Sequence, residues 1–120
     1  MSKILVHLTH GPEHPTRAAL AFLVARAAIE EGHAVTMFLA GDAVQLVRDN
    51  VLDQLSGLGT GSLRESYDAV VKGGTQIYLS GMSSKARNLV AADIEGKSVE
   101  FATPNILVKL AIECDRMFTY

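Results

Sequence analysis

The stretch QIYLSGMSSKARNL, residues 76–89, passes from an apolar run straight into a glycine, three serines and a lysine. Gln76 to Ser80 has the composition of a strand. Ser80, Ser83 and Ser84 are residues that commonly open helices. The stretch therefore predicts a strand whose carboxyl end delivers small polar groups to a helix starting near Met82. Such a start points free backbone N–H groups at the space above Ser80, and the dipole favours an anion there. Lys85 adds a charge, and Gly81 lets the backbone approach a ligand closely. The competing reading is an ordinary strand–helix turn with serine caps.

Working outward, four more short apolar runs read as strands: KILVHL (3–8), AVTMFLA (34–40), SVEFA (98–102) and RMFTY (116–120). Helical patterns lie between them. The first has Pro15 near its start and Gly32 just past its end. A second begins at Asp42, with Gln45 three residues on. A third opens with Ser62 and Glu65 at capping-box spacing and stops at Gly73-Gly74. The last opens with Thr103 as its expected cap and Pro104 in the first helical turn. Alternation of strands and helices, with near-continuous apolar strands, predicts an α/β domain over residues 1–120 with a parallel sheet buried between helical layers.

Two segments fit that frame less well. In DNVLDQLSGLGTG (49–61), Val51, Leu52, Leu55 and Leu58 sit among glycines, which suggests a mobile loop or an oligomer contact. The first helix, RAALAFLVARAAIEE (17–31), is apolar around most of its circumference, where a sheet-covering helix should carry a polar stripe. Packing against a second subunit is the simplest explanation, so a homo-oligomer is expected.

Composition narrows the function. The chain has 120 residues, 48% apolar and 20% charged, with a formal charge of −2. Neither the charge nor any basic run calls for nucleic acid. No run approaches the roughly 18 apolar residues of a membrane helix, and the amino terminus lacks a signal-peptide pattern. A single cysteine, Cys114, suits a reducing compartment, so a cytoplasmic location is expected.

In open α/β sheets, ligands bind beyond the carboxyl ends of the strands. That rule selects Thr9, His10 and Gly11, then Gly41 and Asp42, then Ser80 to Lys85, then Thr103 and Asn105, and finally Tyr120. The binding candidates are Ser80, Gly81, Ser83, Ser84, Lys85, His10 and Asn105. A hydrolase nucleophile elbow fails, because Lys85 stands where its second glycine belongs and all four histidines lie upstream. His10 and His14, with Glu13 between them, are ligand types a metal accepts. Pro12 and Pro15 break any helical pairing between them, so no metal is expected. GLGTGS (57–62) matches neither dinucleotide nor phosphate-loop spacing, and no cofactor is expected. Cys114 ends the last helix and should lie at the amino edge of the sheet, as a structural thiol.

The chain resembles the DsrE/DsrF-like family, which includes small sulfur-relay subunits. The resemblance rests on KILVHLTHGPEHPTRAALAFLVARAAIEEGHAVTMFLAGDAV, on GGTQIYLSGMSSKARNL and on the closing IECDRMFTY, and it spans essentially the whole length. It implies a three-layer α/β/α fold with a five-stranded parallel sheet, assembly as trimers or hexamers, and sulfur-relay proteins as partners. It also implies, in sulfur-carrying members, a cysteine at the end of the third strand that holds a persulfide. Laid onto this chain, that position is Ser80. A hydroxyl is too weakly acidic for this role and cannot form an S–S bond.

Three readings remain open. The favoured one is a non-catalytic binding or accessory subunit with a small-ligand or anion pocket at the carboxyl ends of the strands. The second is a sulfurtransferase-like enzyme using Cys114, or an unfamiliar reaction using Ser80, Lys85 and His10. The third is a purely structural oligomer.

Overall fold

The five apolar runs become the five strands of one parallel sheet. The computed structural model describes all 120 residues. In chain order the elements are β1 (Lys3–Leu8), α1 (Pro15–Glu30), β2 (Ala34–Leu39), a 3-10 helix (Gly41–Val47) and α2 (Asp49–Gln54). There follow a small hairpin of β3 (Ser56–Gly57) and β4 (Gly61–Ser62), then α3 (Leu63–Lys72), β5 (Gln76–Ser80) and α4 (Gly81–Ala86). A second 3-10 helix (Ala91–Ile94), β6 (Val99–Ala102), α5 (Pro104–Glu113) and β7 (Arg116–Thr119) complete the chain.

The sheet order is β6-β5-β2-β1-β7, with every pairing parallel. From β1 the chain steps one way to β2, β5 and β6, then crosses the whole sheet to β7. Right-handed crossovers put the connecting helices of the outward march on one face and the returning α5 on the other. Packing agrees. Strand residues Ile4, Val6, Leu8, Val35, Met37, Leu39, Ile77, Leu79 and Val99 share one core with α1, α2, α3 and the first 3-10 helix. No residue of α5 belongs to it.

The two faces are therefore covered unequally. On the first, Ala18, Ala21, Phe22 and Ala25 of α1 are wholly buried. On the second, Leu5 and Phe38 are buried, but α5 contributes no buried residue. A fully buried large apolar side chain stabilises by about 1.5–3 kcal/mol, so α5 is held far less firmly than α1.

Several expected details differ. Much of the apolar circumference of α1 is covered within the chain, by the sheet, α3 and the small hairpin, while Leu20 stays exposed. Large apolar side chains left exposed include Met82 on α4, Val90 after it, Val108 and Ile112 on α5, and Met117 and Phe118 on β7. Residues 49–61 are ordered: Leu52 is wholly buried in α2, and Gly59 and Gly61 take positive φ (78° and 74°) to turn the hairpin. Only Leu58 stands out in solvent. The helix expected from Asp42 is a 3-10 helix broken from α2 at Arg48, whose backbone is extended (φ −70°, ψ 133°). The Arg48 guanidinium there turns toward Asp93 and the carbonyl of Arg87. The Ser62–Glu65 capping box is absent, since Ser62 is committed to the hairpin, opposite Ser56. The Thr103 side chain caps nothing either.

On the second face His7 lies edge-on to Phe38, with ring centroids 6.0 Å apart, and its Nε2 is buried without a partner. Burial pushes the His7 imidazole below its usual range. The unfolded chain, titrating near 6.5, therefore takes up this proton before the folded chain does. Its effect on stability is absent above that pH and grows unfavourable as pH falls through 6.5 toward the folded value. Urea denaturation of wild type and His7→Phe across pH 5–8 should show the variant losing less stability on acidification; parallel curves would remove His7 from the account.

Candidate functional site

The strands end on a common rim, and β5 and β6 form a crevice on it. From Ser80 the chain turns into α4 over the first face, and from Ala102 it turns into α5 over the second. Adjacent strands whose connections leave in opposite directions open a cleft between them, the usual ligand position in such sheets. Ser80 pairs with Ala102 in the ladder, and a side chain at Gly81 would meet the Ala102 carbonyl at 3.6 Å. Thr103 and Asn105 begin the far wall.

The serines are engaged in holding this rim together. Ser80 is the N-cap of α4, and its Oγ accepts the Ser83 N–H at 3.1 Å. The Ser83 Oγ accepts the Gly41 N–H at 2.8 Å, tying the end of β5 to the end of β2. Ser84 is buried, and its hydroxyl has no partner. Lys85 is exposed and lies within 4.0 Å of no carboxylate. The helix itself is only six residues long, so the dipole expected above Ser80 is a short one.

Beside α4 lies a groove of about 450 Å³ lined by Ser84, Lys85, Asn88, Leu89, Val90 and Phe101, with Gly81 at its edge. Its volume falls within the range of small-ligand sites, about 300–1,000 Å³. Phe101 and Val90 are large apolar side chains left exposed there. Asn88 takes a left-handed backbone (φ 57°), a conformation asparagine tolerates better than most residues.

Arg87 and Asp42 were missed as partners by sequence reasoning. Arg87 Nε donates to Asp42 Oδ1 at 3.0 Å, and its Nη1 donates to the Ser83 carbonyl at 3.2 Å. A half-exposed pair of this kind adds little stability, so its effect is to fix the geometry of the rim. An acid just past β2 and a base just past α4 were the available signal, readable only once β2 and β5 are known to be neighbours.

The remaining candidates are dispersed. His10 lies at the end of β1, two strands from Ser80, or about 10 Å at ordinary strand spacing. Its Nδ1 is 3.5 Å from Thr9 Oγ, and its ring meets His14 edge-on at 5.1 Å. Glu13 instead accepts the Gly11 N–H. No group of three or more His, Cys, Asp or Glu side chains is placed to hold a metal ion. Tyr120 lies beyond β7, three strands from Ser80, and its carbonyl accepts from Thr9. Cys114 is on the opposite rim, half-buried, its Sγ 3.3 Å from the Ala111 carbonyl. It lines a cavity of about 240 Å³ with Lys3, Leu5 and Glu113.

A second polar cleft, lined by Arg48, Asp49, Asp93, Glu95 and Lys97, has both of its cations paired within it. Hydrogen bonds from Arg64 and then Lys97 hold the Asp49 carboxyl below its usual range, and Arg48 pairs with Asp93 at 3.4 Å.

Comparison with known proteins adds the following. The model of the DsrE/DsrF-like family matches residues 2–120. Among solved structures, the ychN protein from E. coli is similar with a TM-score of 0.83 at 19% identity, each chain covered 100%. MTH1491 from Methanobacterium thermoautotrophicum, a protein of unknown function, gives 0.74 at 10% identity, again with both chains fully covered. BT1422 from Bacteroides thetaiotaomicron, a conserved protein of unknown function, gives 0.72 at 12% identity, with 99% of this chain and 95% of that one covered. At these identities the likeness establishes the fold alone. No curated protein matches at a significant level. No helix is long and apolar enough to cross a membrane.

The rim depends on one close approach. A Cβ at Gly11 would collide with the carbonyl of Asp42, so any side chain there pushes the β1 and β2 loops apart. Gly11→Ala should cost about 1–3 kcal/mol by overpacking, measured by urea denaturation. A variant as stable as wild type would show that the loops separate freely.

Proposed function

The chain belongs to the DsrE/DsrF-like family, and from that premise we propose that it is a single-domain, cytoplasmic, oligomeric accessory or binding subunit of intracellular sulfur relay. In this reading it does not itself carry sulfur. It holds a small anionic or sulfur-containing ligand at the carboxyl ends of the strands and works beside a cysteine-bearing partner.

The observation that supports this most is the chemistry of position 80. At the tip of β5 the chain offers an oxygen, and that oxygen is already the acceptor of a helix cap. A thiolate at such a position would be favoured by the same N–H groups, whereas a serine hydroxyl stays protonated and makes no persulfide. The sole thiol, Cys114, ends α5 beside the first residues of β1, a full strand length away. A six-residue strand at about 3.3 Å per residue separates the two rims by about 20 Å.

The pocket reading draws on the groove beside α4. Lys85 supplies a cation with no competing carboxylate, the Ser84 hydroxyl is unsatisfied beneath it, and Phe101, Leu89 and Val90 supply an apolar wall. An amphipathic anion suits that combination.

Two measurements test the proposal. After incubation with a persulfide donor, intact-mass analysis should find no added sulfur on wild type, while Ser80→Cys should acquire one sulfur atom at residue 80. Stable sulfur on Cys114 of the wild type would instead support a carrier. Titration with thiosulfate, followed by calorimetry, should give binding that Lys85→Ala weakens roughly tenfold, the loss of one charge-assisted contact. Equal affinity in the two proteins would reduce the groove to a surface feature.

A further inference from the structure

Helix α4 ends on an asparagine where glycine is the usual residue. The Leu89 N–H donates to the Ser84 carbonyl at 2.9 Å, and the Asn88 N–H to the Lys85 carbonyl at 3.3 Å. These are the paired bonds of a Schellman turn, which needs a left-handed backbone at Asn88. Asn88 is the only residue other than glycine with positive φ. Glycine adopts that conformation more readily, so the turn does not itself call for a side chain here. The Asn88 amide makes no hydrogen bond within the chain; it is exposed and lines the groove of about 450 Å³ beside α4.

The other groups of the groove define what complements that amide. Ser84, 1% exposed, lines it with a hydroxyl that has no partner, and an unpaired buried hydroxyl is costly until a ligand meets it. Lys85 is the only charged residue in the lining, which matches a single negative charge. Leu89, Val90 and Phe101 supply the apolar wall. The Asn88 amide both donates and accepts, so its natural complement is another amide. A phosphate would satisfy Lys85 and Ser84 but would leave the Asn88 carbonyl and the apolar wall without partners. A simple fatty acid would use the wall and Lys85 and leave the amide unpaired.

We infer that the groove recognises an acylated amino acid, with its carboxylate on Lys85, its amide against Asn88 and Ser84, and an apolar side chain on Leu89, Val90 and Phe101. The inference rests on the reading of this groove as a ligand site and names the class of ligand. Asn88 is the residue that sets specificity, by separating acids that carry an amide from acids that do not. The same chemistry occurs in a free N-acyl amino acid and at the carboxyl terminus of a peptide.

Amide chemical shifts of the isotope-labelled protein, followed by NMR during titration, test this. N-acetyl-leucine should shift residues 84–90 with a dissociation constant of about 1 mM. Isocaproate, which lacks the acetamido group, should bind about fivefold more weakly, and the uncharged N-acetyl-leucinamide about tenfold more weakly. Asn88→Gly should melt close to wild type, because glycine suits the turn. It should nevertheless weaken N-acetyl-leucine about fivefold and isocaproate by less than about twofold. Acetyl-glycyl-glycyl-leucine binding more tightly than N-acetyl-leucine would assign a peptide terminus; binding no more tightly would assign the free acid. If thiosulfate or isocaproate shifts these residues and N-acetyl-leucine binds no better, or if Asn88→Gly leaves its affinity unchanged, this inference is wrong and the anion groove stands. If none of these anions shifts residues 84–90, the groove reading falls and the inference with it.

Discussion

A parallel β-sheet buries the backbone of every strand between two layers, and its apolar faces tolerate no open water. On the first face of this sheet the requirement is met by α1, α2, α3 and the first 3-10 helix, around a core in which Phe22, Met37, Leu39 and Ile77 are wholly enclosed. On the second face it is met by α5 alone. The remaining features of the molecule follow from that imbalance. One return crossover must span the whole sheet, and its departure from β6 opens the crevice beside β5. Its lone helix is left with an apolar outer side.

The crevice is built from hydrogen bonds that serve structure first. Ser80 caps α4, Ser83 joins β5 to β2, and Arg87 joins both to Asp42. Two strand ends, those of β2 and β5, are thereby held in register by groups that resemble a binding constellation in sequence. What is left over is smaller: an unpaired lysine, an unsatisfied buried hydroxyl and an apolar wall. The reading of this protein as a binding or accessory member of its family depends on that remainder, together with the oxygen at residue 80.

Much of the fold was legible in the chain. The five strands fall within a residue or two of their expected limits, because apolar runs of this length bounded by Gly, Pro and Ser have few other outcomes. Pro15 and Gly32 mark α1 for similarly local reasons. Readings that leaned on local signals alone failed where tertiary contacts competed for the same groups. Ser62 was needed by the hairpin rather than by α3. Arg48 was drawn out of a helix by Asp93 and the Arg87 carbonyl. Much of the apolar α1 found its cover in the sheet, α3 and the hairpin, partners that periodicity does not reveal.

The sequence by itself determined the layering, the parallel sense of the sheet, and the presence of serine and not cysteine at the tip of β5. Those are properties of composition and short-range pattern, and each segment carries its own. Tertiary structure alone decided which strand ends are neighbours. Asp42 and Arg87 therefore meet while His10 and Ser80 stay apart, and Cys114 closes the opposite rim. It also decided which apolar surface remains uncovered. Strand order is fixed by the crossover path and by competition among helices for one face, and neither is encoded at any single position.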